Sequence, residues 1–327
     1  MMRMFWKSVV WAALAALPLL MSPVVHGQAT PPCTPGVNFG SLIGAVNVGY
    51  GDGRLNIGEL YAVCLAMPAK PSVSNYPYDP DQGGKLSTLL KDASGQVLTT
   101  YVWYAERIGG LWEMSRYKIV GGYEAVKPLA AGNYLLEFAV DGQQFSRFPF
   151  SVTIVKSDDP YQPSGNRYFI EGPWNEYGNL FYQRNDPKSS MTFTTWVREK
   201  SGRETKRSVP YRVKLIRVND GSVLGEESST LRLEPRWLRA SLFFRPPGDQ
   251  NSFLKASEVL NRDGAYSIRF EIDGNLYGEY PFTVKGGQIP LQGRQIRETT
   301  DPMDYITDYV SGGRYTSWWI RRDAAAK

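Results

Sequence analysis

Residues Gly132–Val152 read GNYLLEFAVDGQQFSRFPFSV, and residues Gly264–Val284 read GAYSIRFEIDGNLYGEYPFTV. They align at a constant offset of 132 with eight identities in 21 positions. The identities are Gly132/Gly264, Tyr134/Tyr266, Phe138/Phe270, Asp141/Asp273, Gly142/Gly274, Pro149/Pro281, Phe150/Phe282 and Val152/Val284. Chance would give about one or two, so the chain contains an internal repeat. Tyr134, Leu136, Phe138 and Val140 alternate with smaller or more polar neighbours, as do Tyr266, Ile268, Phe270 and Ile272. Period two with one apolar face predicts a half-buried strand. Asp-Gly then predicts a tight hairpin turn, because glycine accepts φ > 0. The return strands carry Phe148, Phe150, Val152 and Tyr280, Phe282, Val284. Pro149 and Pro281 have no N–H, which puts that strand at an edge or turns the position outward.

The offset continues weakly upstream in Gly40/Gly172, Asn47/Asn179 and Tyr50/Tyr182. Lys91–Leu98 and Arg217–Leu224 each read as strand, Gly turn and strand, at an offset near 126. The expected organisation is a first domain over 34–156, a linker over 157–166, a second domain over 167–287 and a tail over 288–327. Asp263-Gly264-Ala265-Tyr266 resembles the tyrosine corner of immunoglobulin-like sandwiches, where a tyrosine precedes by two residues a core position often held by cysteine. Leu136 and Ile268 hold that position here, and the first copy, Ala131-Gly132-Asn133-Tyr134, lacks the Asp. The resemblance covers the last two strands of each domain. It implies an all-β chain of two tandem Ig-like β-sandwich domains, and it implies no activity.

At 327 residues the chain has room for about two domains. Residues 1–27 read as a secretory signal, with Arg3 and Lys7, an apolar run over Ser8–Met21 and a small-residue cleavage site at Val25-His26-Gly27. Cleavage lowers Lys+Arg from 37 to 35 against 32 Asp+Glu, a net charge of +3. It also removes His26, the only histidine. Ser-His-Asp and Cys-His catalysis and His-ligated metals are thereby excluded from the exported chain. No later apolar run approaches the roughly 20 residues that span a bilayer. The expected location is periplasmic or extracellular. There Cys33 and Cys64 read as one disulfide. Closing that loop contributes roughly 3–4 kcal/mol in the chain-entropy account. Basic residues are interleaved with acids even over Arg198–Arg217, so no nucleic-acid partner is expected.

Gly51-Asp52-Gly53-Arg54-Leu55-Asn56-Ile57-Gly58-Glu59-Leu60 resembles the second half of a calcium loop. Val48 and Tyr50 would occupy its first and third ligand positions, so a hairpin turn is expected instead, with no metal and no cofactor. Trp103, Trp112, Trp196 and Trp237 lie in strand-like runs and read as core. Trp174 and Tyr177 sit among turn residues and read as an exposed ligand platform or an interdomain contact. No pair of carboxylates stands out for acid–base work, so the chain is not read as an enzyme.

The tail is the strongest functional signal. Thr300-Asp301-Pro302-Met303-Asp304 reads as a helix start, with Tyr305, Ile306, Tyr309 and Val310 on one face. Tyr315, Trp318, Trp319, Ile320, Arg321 and Arg322 follow, all interface-type residues. The sandwich is expected to be complete at Val284, with 288–327 as a docking tail containing a short helix; the tail reads either as folding back on its own domains or as docking on a partner protein or a membrane surface. Its deletion is expected to leave two folded domains and abolish partner binding. The expected function is an exported, non-enzymatic structural or accessory subunit of an envelope or extracellular assembly. That subunit docks on a protein partner, or touches a membrane surface, through Tyr305, Ile306, Tyr309, Tyr315, Trp318, Trp319, Arg321 and Arg322. The alternative is a carbohydrate-binding module with a glycan ligand, and after it a two-domain periplasmic chaperone of the pilus-assembly type.

Overall fold

The computed structural model describes residues 35–65, 86–108, 111–156, 165–183, 186, 188–199, 206–249, 251–290 and 315–323. The signal-like segment, Cys33 and the expected tail helix with Tyr305, Ile306 and Tyr309 lie outside the described residues. The protein is all-β. Its first part runs β1 (Gly36–Val37), α1 (Phe39–Ala45), β2 (Val46–Val48), β3 (Leu55–Ile57), β4 (Leu60–Val63), β5 (Leu86–Asp92), β6 (Val97–Ile108), β7 (Leu111–Ile119), β8 (Gly132–Val140), β9 (Gln143–Lys156) and β10 (Asn166–Glu171). Eight of these form one antiparallel sheet in the order β1-β4-β7-β6-β5-β8-β9-β10, and β2 and β3 make a separate hairpin. The short helix α1 is capped by Asn38, whose Oδ1 accepts from the Ser41 N–H at 2.8 Å. It buries Phe39, Leu42 and Ile43.

The second part runs β11 (Tyr177–Gln183), β12 (Thr192–Val197), β13 (Arg207–Arg217), β14 (Val223–Leu233), β15 (Leu238–Phe243), α2 (Ala256–Leu260), β16 (Gly264–Ile272), β17 (Asn275–Val284) and β18 (Tyr315–Arg321). Two four-stranded sheets, β15-β12-β11-β18 and β14-β13-β16-β17, form this sandwich. Leu180, Phe193, Val213, Leu215, Ile268 and Phe270 are among the residues buried in its core.

The sequence repeat is a structural repeat down to its irregularities. Gly132 pairs with Val152 and Phe138 with Ser146, while Gly264 pairs with Val284 and Phe270 with Gly278. Each hairpin slips register at the next step, between Phe138/Ala139 and between Phe270/Glu271. Asp141-Gly142 and Asp273-Gly274 turn with φ of 49° and 81°, and of 54° and 75°. Positive φ at both central residues is the turn whose twist matches the flanking strands. Tyr134 Oη donates to the Ala130 carbonyl at 2.8 Å, and Tyr266 Oη to the Arg262 carbonyl at 2.5 Å. Each tyrosine ring stacks on the return-strand phenylalanine, Phe150 at 5.5 Å and Phe282 at 5.3 Å. The preceding hairpins match too. Leu90 faces Leu136 and Leu215 faces Ile268, an offset of 125, while the turn glycines Gly95 and Gly221 differ by 126. One extra turn residue in the second copy accounts for the slip.

Two expectations need correction. Residues 167–171, expected to open the second domain, lie in β10 and pair with β9 of the first sheet, Glu171 reaching Ser151. The hydrogen-bonding stops there because Pro149, two residues further along β9, has no N–H to offer. The chain leaves at Gly172, where an added Cβ would press on the Pro149 carbonyl at 3.3 Å. The second sandwich is also not complete at Val284. Its edge strand is β18, which pairs with β11 from Tyr177↔Arg321 to Gln183↔Tyr315.

Burial raises the tyrosine hydroxyls of Tyr101, Tyr277 and Tyr280 above their ordinary value. A hydrogen bond to Glu59, then burial, pushes Tyr61 up to about 12. A phenol whose folded pKa is raised favours the fold while it stays protonated. Unfolded tyrosines ionise near pH 10, so that stability is fully present below about pH 10 and is lost as pH rises through the folded values. The expected outcome is a level unfolding free energy from neutrality to about pH 10 and a fall above it. An alkaline titration followed by phenolate absorbance and circular dichroism checks this, and the two signals should change together.

Candidate functional site

Alternation along β18 sends its side chains two ways. Trp318 and Ile320 enter the core between the two four-stranded sheets, and Trp319 enters the first domain's core on the opposite face. The Trp319 ring meets Phe39 of α1 edge-on at 4.8 Å and stacks on Trp196 of β12 at 5.9 Å. Tyr177 also meets Phe39 edge-on, at 5.8 Å. Trp174 lies in the same junction. Its Nε1 donates to the Ile43 carbonyl at 2.5 Å, and its ring stacks on Trp237 at 6.3 Å. A charged side chain also crosses this largely apolar seam. Arg198 pairs with Glu171, donates to the Ile170 carbonyl at 3.3 Å and lies over Phe169 and Trp237 at 5.0 and 5.1 Å. Burial lowers its pKa from the usual arginine value, and the Glu171 carboxylate opposes that shift.

This junction relocates most of the residues singled out from sequence. Trp174 and Tyr177 are buried at 1% and 8% exposure, so they offer no platform to a sugar ring. Trp318 and Trp319 are at 7% and 5%, so they are core residues and not docking residues. A strand with aromatic residues at successive positions buries both faces when something packs on each side of its sheet. Tyr315 starts β18 opposite Gln183. Arg321 is exposed, and Arg322 lies over the Tyr277 ring at 5.1 Å while its N–H donates to the Glu176 carbonyl at 2.7 Å. Cys64 follows β4 at φ 57°, and no cysteine among the described residues is free. In the calcium-like loop, Asp52 Oδ1 accepts from the Arg54 N–H at 3.2 Å, and Glu59 accepts from the Tyr61 hydroxyl. Asn56 pairs with Asn47 in the β2–β3 hairpin.

The first domain covers only one end of the β15-β12-β11-β18 sheet. At the other end, on the same face as Trp319 and Trp196, lies an open groove of about 640 Å³. Asn179 and Thr192 form part of its floor, with Ser241, Gln183 and Arg239 around them. Phe181 and Phe243 supply aromatic surface, and Phe243 is 37% exposed with Phe253 packed against it at 5.5 Å. Thr194 lies in the row between Asn179 and Ser241. It is 2% exposed, and its Oγ1 has no hydrogen-bond partner among the described residues. None of the described lining residues is acidic. Sequence reading missed this groove. Its signal was present in β11, where Asn179, Phe181 and Gln183 alternate with Leu180 and Tyr182, and in the Arg239, Ser241, Phe243 row of β15.

No protein-family model and no curated protein matches the chain. Among solved structures it is similar to a glycosyl hydrolase family 2 member from Bacteroides cellulosilyticus DSM 14838, 10% identical, over 69% of this chain and 28% of that one, with a TM-score of 0.23. A beta-glucuronidase from glycoside hydrolase family 2 is 11% identical over 83% of this chain and 29% of that one, with a TM-score of 0.24. The chain thus spans under a third of either protein, and scores this low assign it no activity.

Truncating a buried tryptophan costs about 3–5 kcal/mol. Trp319→Ala is expected to lose stability in that range, whereas Arg321→Ala, on the same strand but exposed, should stay within about 0.5 kcal/mol. Urea unfolding of both variants checks the difference.

Proposed function

We propose that the chain is an exported, non-enzymatic structural or accessory subunit of an extracytoplasmic assembly. The observation that supports this reading best is the path of β18. It closes the second sandwich and drives Trp319 into the first domain, so the aromatic residues of the tail hold two sandwiches together as one unit. A body of that kind presents surfaces at fixed separation, which suits a subunit that spaces or braces its partners. With Trp318 and Trp319 buried, the partner-binding role falls to Tyr305, Ile306 and Tyr309, whose spacing gives one apolar face. The paired hydroxyl-to-carbonyl bonds of Tyr134 and Tyr266 support an immunoglobulin-like ancestry for both domains. Export implies removal of residues 1–27 and a disulfide between Cys33 and Cys64.

A mild-detergent pull-down from the native host tests the proposal. Full-length protein is expected to capture a stoichiometric protein partner. A Tyr305→Ala, Ile306→Ala, Tyr309→Ala variant should lose at least tenfold in affinity at unchanged thermal stability, because such anchors carry most of an interface's energy. Equal capture by both forms would remove the tail from the interface. The mature N-terminus should be Gln28.

A further inference from the structure

The structure assigns the groove on the outer face of the β15-β12-β11-β18 sheet as a binding site for an acidic saccharide. Its size falls within the span of small-ligand sites, about 300–1,000 Å³. The chemistry of its walls selects the class. Asn179, Gln183, Thr192 and Ser241 carry uncharged groups that both accept and donate, as sugar hydroxyls require. The amide of Asn179 already donates to the Trp318 carbonyl at 3.5 Å, which leaves its oxygen as an acceptor. Thr194, buried in the same row with an unpartnered Oγ1, adds a further hydroxyl beneath the floor. Phe243, 37% exposed, offers ring surface on which the C–H side of a pyranose can lie. A purely apolar ligand would leave the polar floor unpaired, at a desolvation cost. An extended peptide would add to a sheet edge, whereas this groove lies on the sheet's face.

Arg239 sets the charge of the ligand. It is exposed at the groove and forms no ion pair among the described residues, and the described lining residues include no acid. A guanidinium so placed offers a two-pronged site to a carboxylate or sulfate. Among the described lining residues Arg239 is the one cation, beside uncharged donors; that set suits a sugar acid better than a polyphosphate, which would need several. The groove assignment uses none of the tail residues proposed for partner docking, so the two roles stand or fall apart.

The test is a glycan array carrying uronic-acid, sialylated, sulfated and neutral oligosaccharides, probed with the full chain, with titration of the strongest binder. Acidic glycans should be retained over their neutral counterparts. Arg239→Gln should weaken the strongest binder about tenfold, and Phe243→Ala should weaken acidic and neutral glycans alike. Arg116→Gln, an exposed change on β7, should leave binding unaltered. Near-ultraviolet circular dichroism identifies any variant that fails to fold, and Ser241→Ala then serves as the second groove variant. Silence across the array overturns the assignment. So does acidic-glycan binding that Arg239→Gln and Phe243→Ala leave at wild-type strength.

Discussion

The Trp319 ring, held between Phe39 of the first domain and Trp196 of the second, is the contact on which the rest of the architecture depends. Its strand is at once the edge of one sandwich and the wedge into the other. Phe39 can reach it because the Asn38 cap starts α1 with that residue on its buried face. Trp196 can reach it because β12 is buried on both sides, with Phe193 and Val197 facing one core and Trp196 the other. Arg198 and Glu171 then fix the seam laterally. The Arg198 side chain is buried and Glu171 is half-buried, so solvent screens the pair and its contribution here is chiefly to orientation.

The two repeats share a four-stranded frame and differ in what flanks it. Both hairpins have the same register, the same slip and the same Asp-Gly turn, so the frame follows from local chemistry that duplication preserves. In the first copy β10 extends the sheet beyond β9. In the second, β17 is the edge, Pro281 falls on it, and the missing strand in the facing sheet comes from the distant β18. The end of that facing sheet left open among the described residues is where the groove lies. The same asymmetry therefore joins the domains and shapes the groove.

Much of this was legible in the sequence. Alternation of Tyr134, Leu136, Phe138 and Val140 and the Asp141-Gly142 turn specify a hairpin without reference to anything distant, and the structure has it. The tail was not legible in the same way. Trp318 and Trp319 pair across from Leu180 and Asn179, about 140 residues earlier, and no local pattern encodes such a partner. Adjacent tryptophans read as an exposed docking face only if one side of the strand meets solvent. Here both sides meet protein. Trp174 and Tyr177 misled for a related reason: turn residues around them suggested the surface, but the turn is folded under the first domain. The groove was missed because its residues are ordinary one by one and acquire meaning only as neighbouring rows of one sheet face.

Differential scanning calorimetry of the full chain tests the central claim most directly. If Trp319 and the Arg198–Glu171 seam bind the two sandwiches into one cooperative body, the chain should melt in a single transition whose calorimetric and van't Hoff enthalpies agree. Two separable transitions, each with the enthalpy of a domain of about half the size, would contradict it.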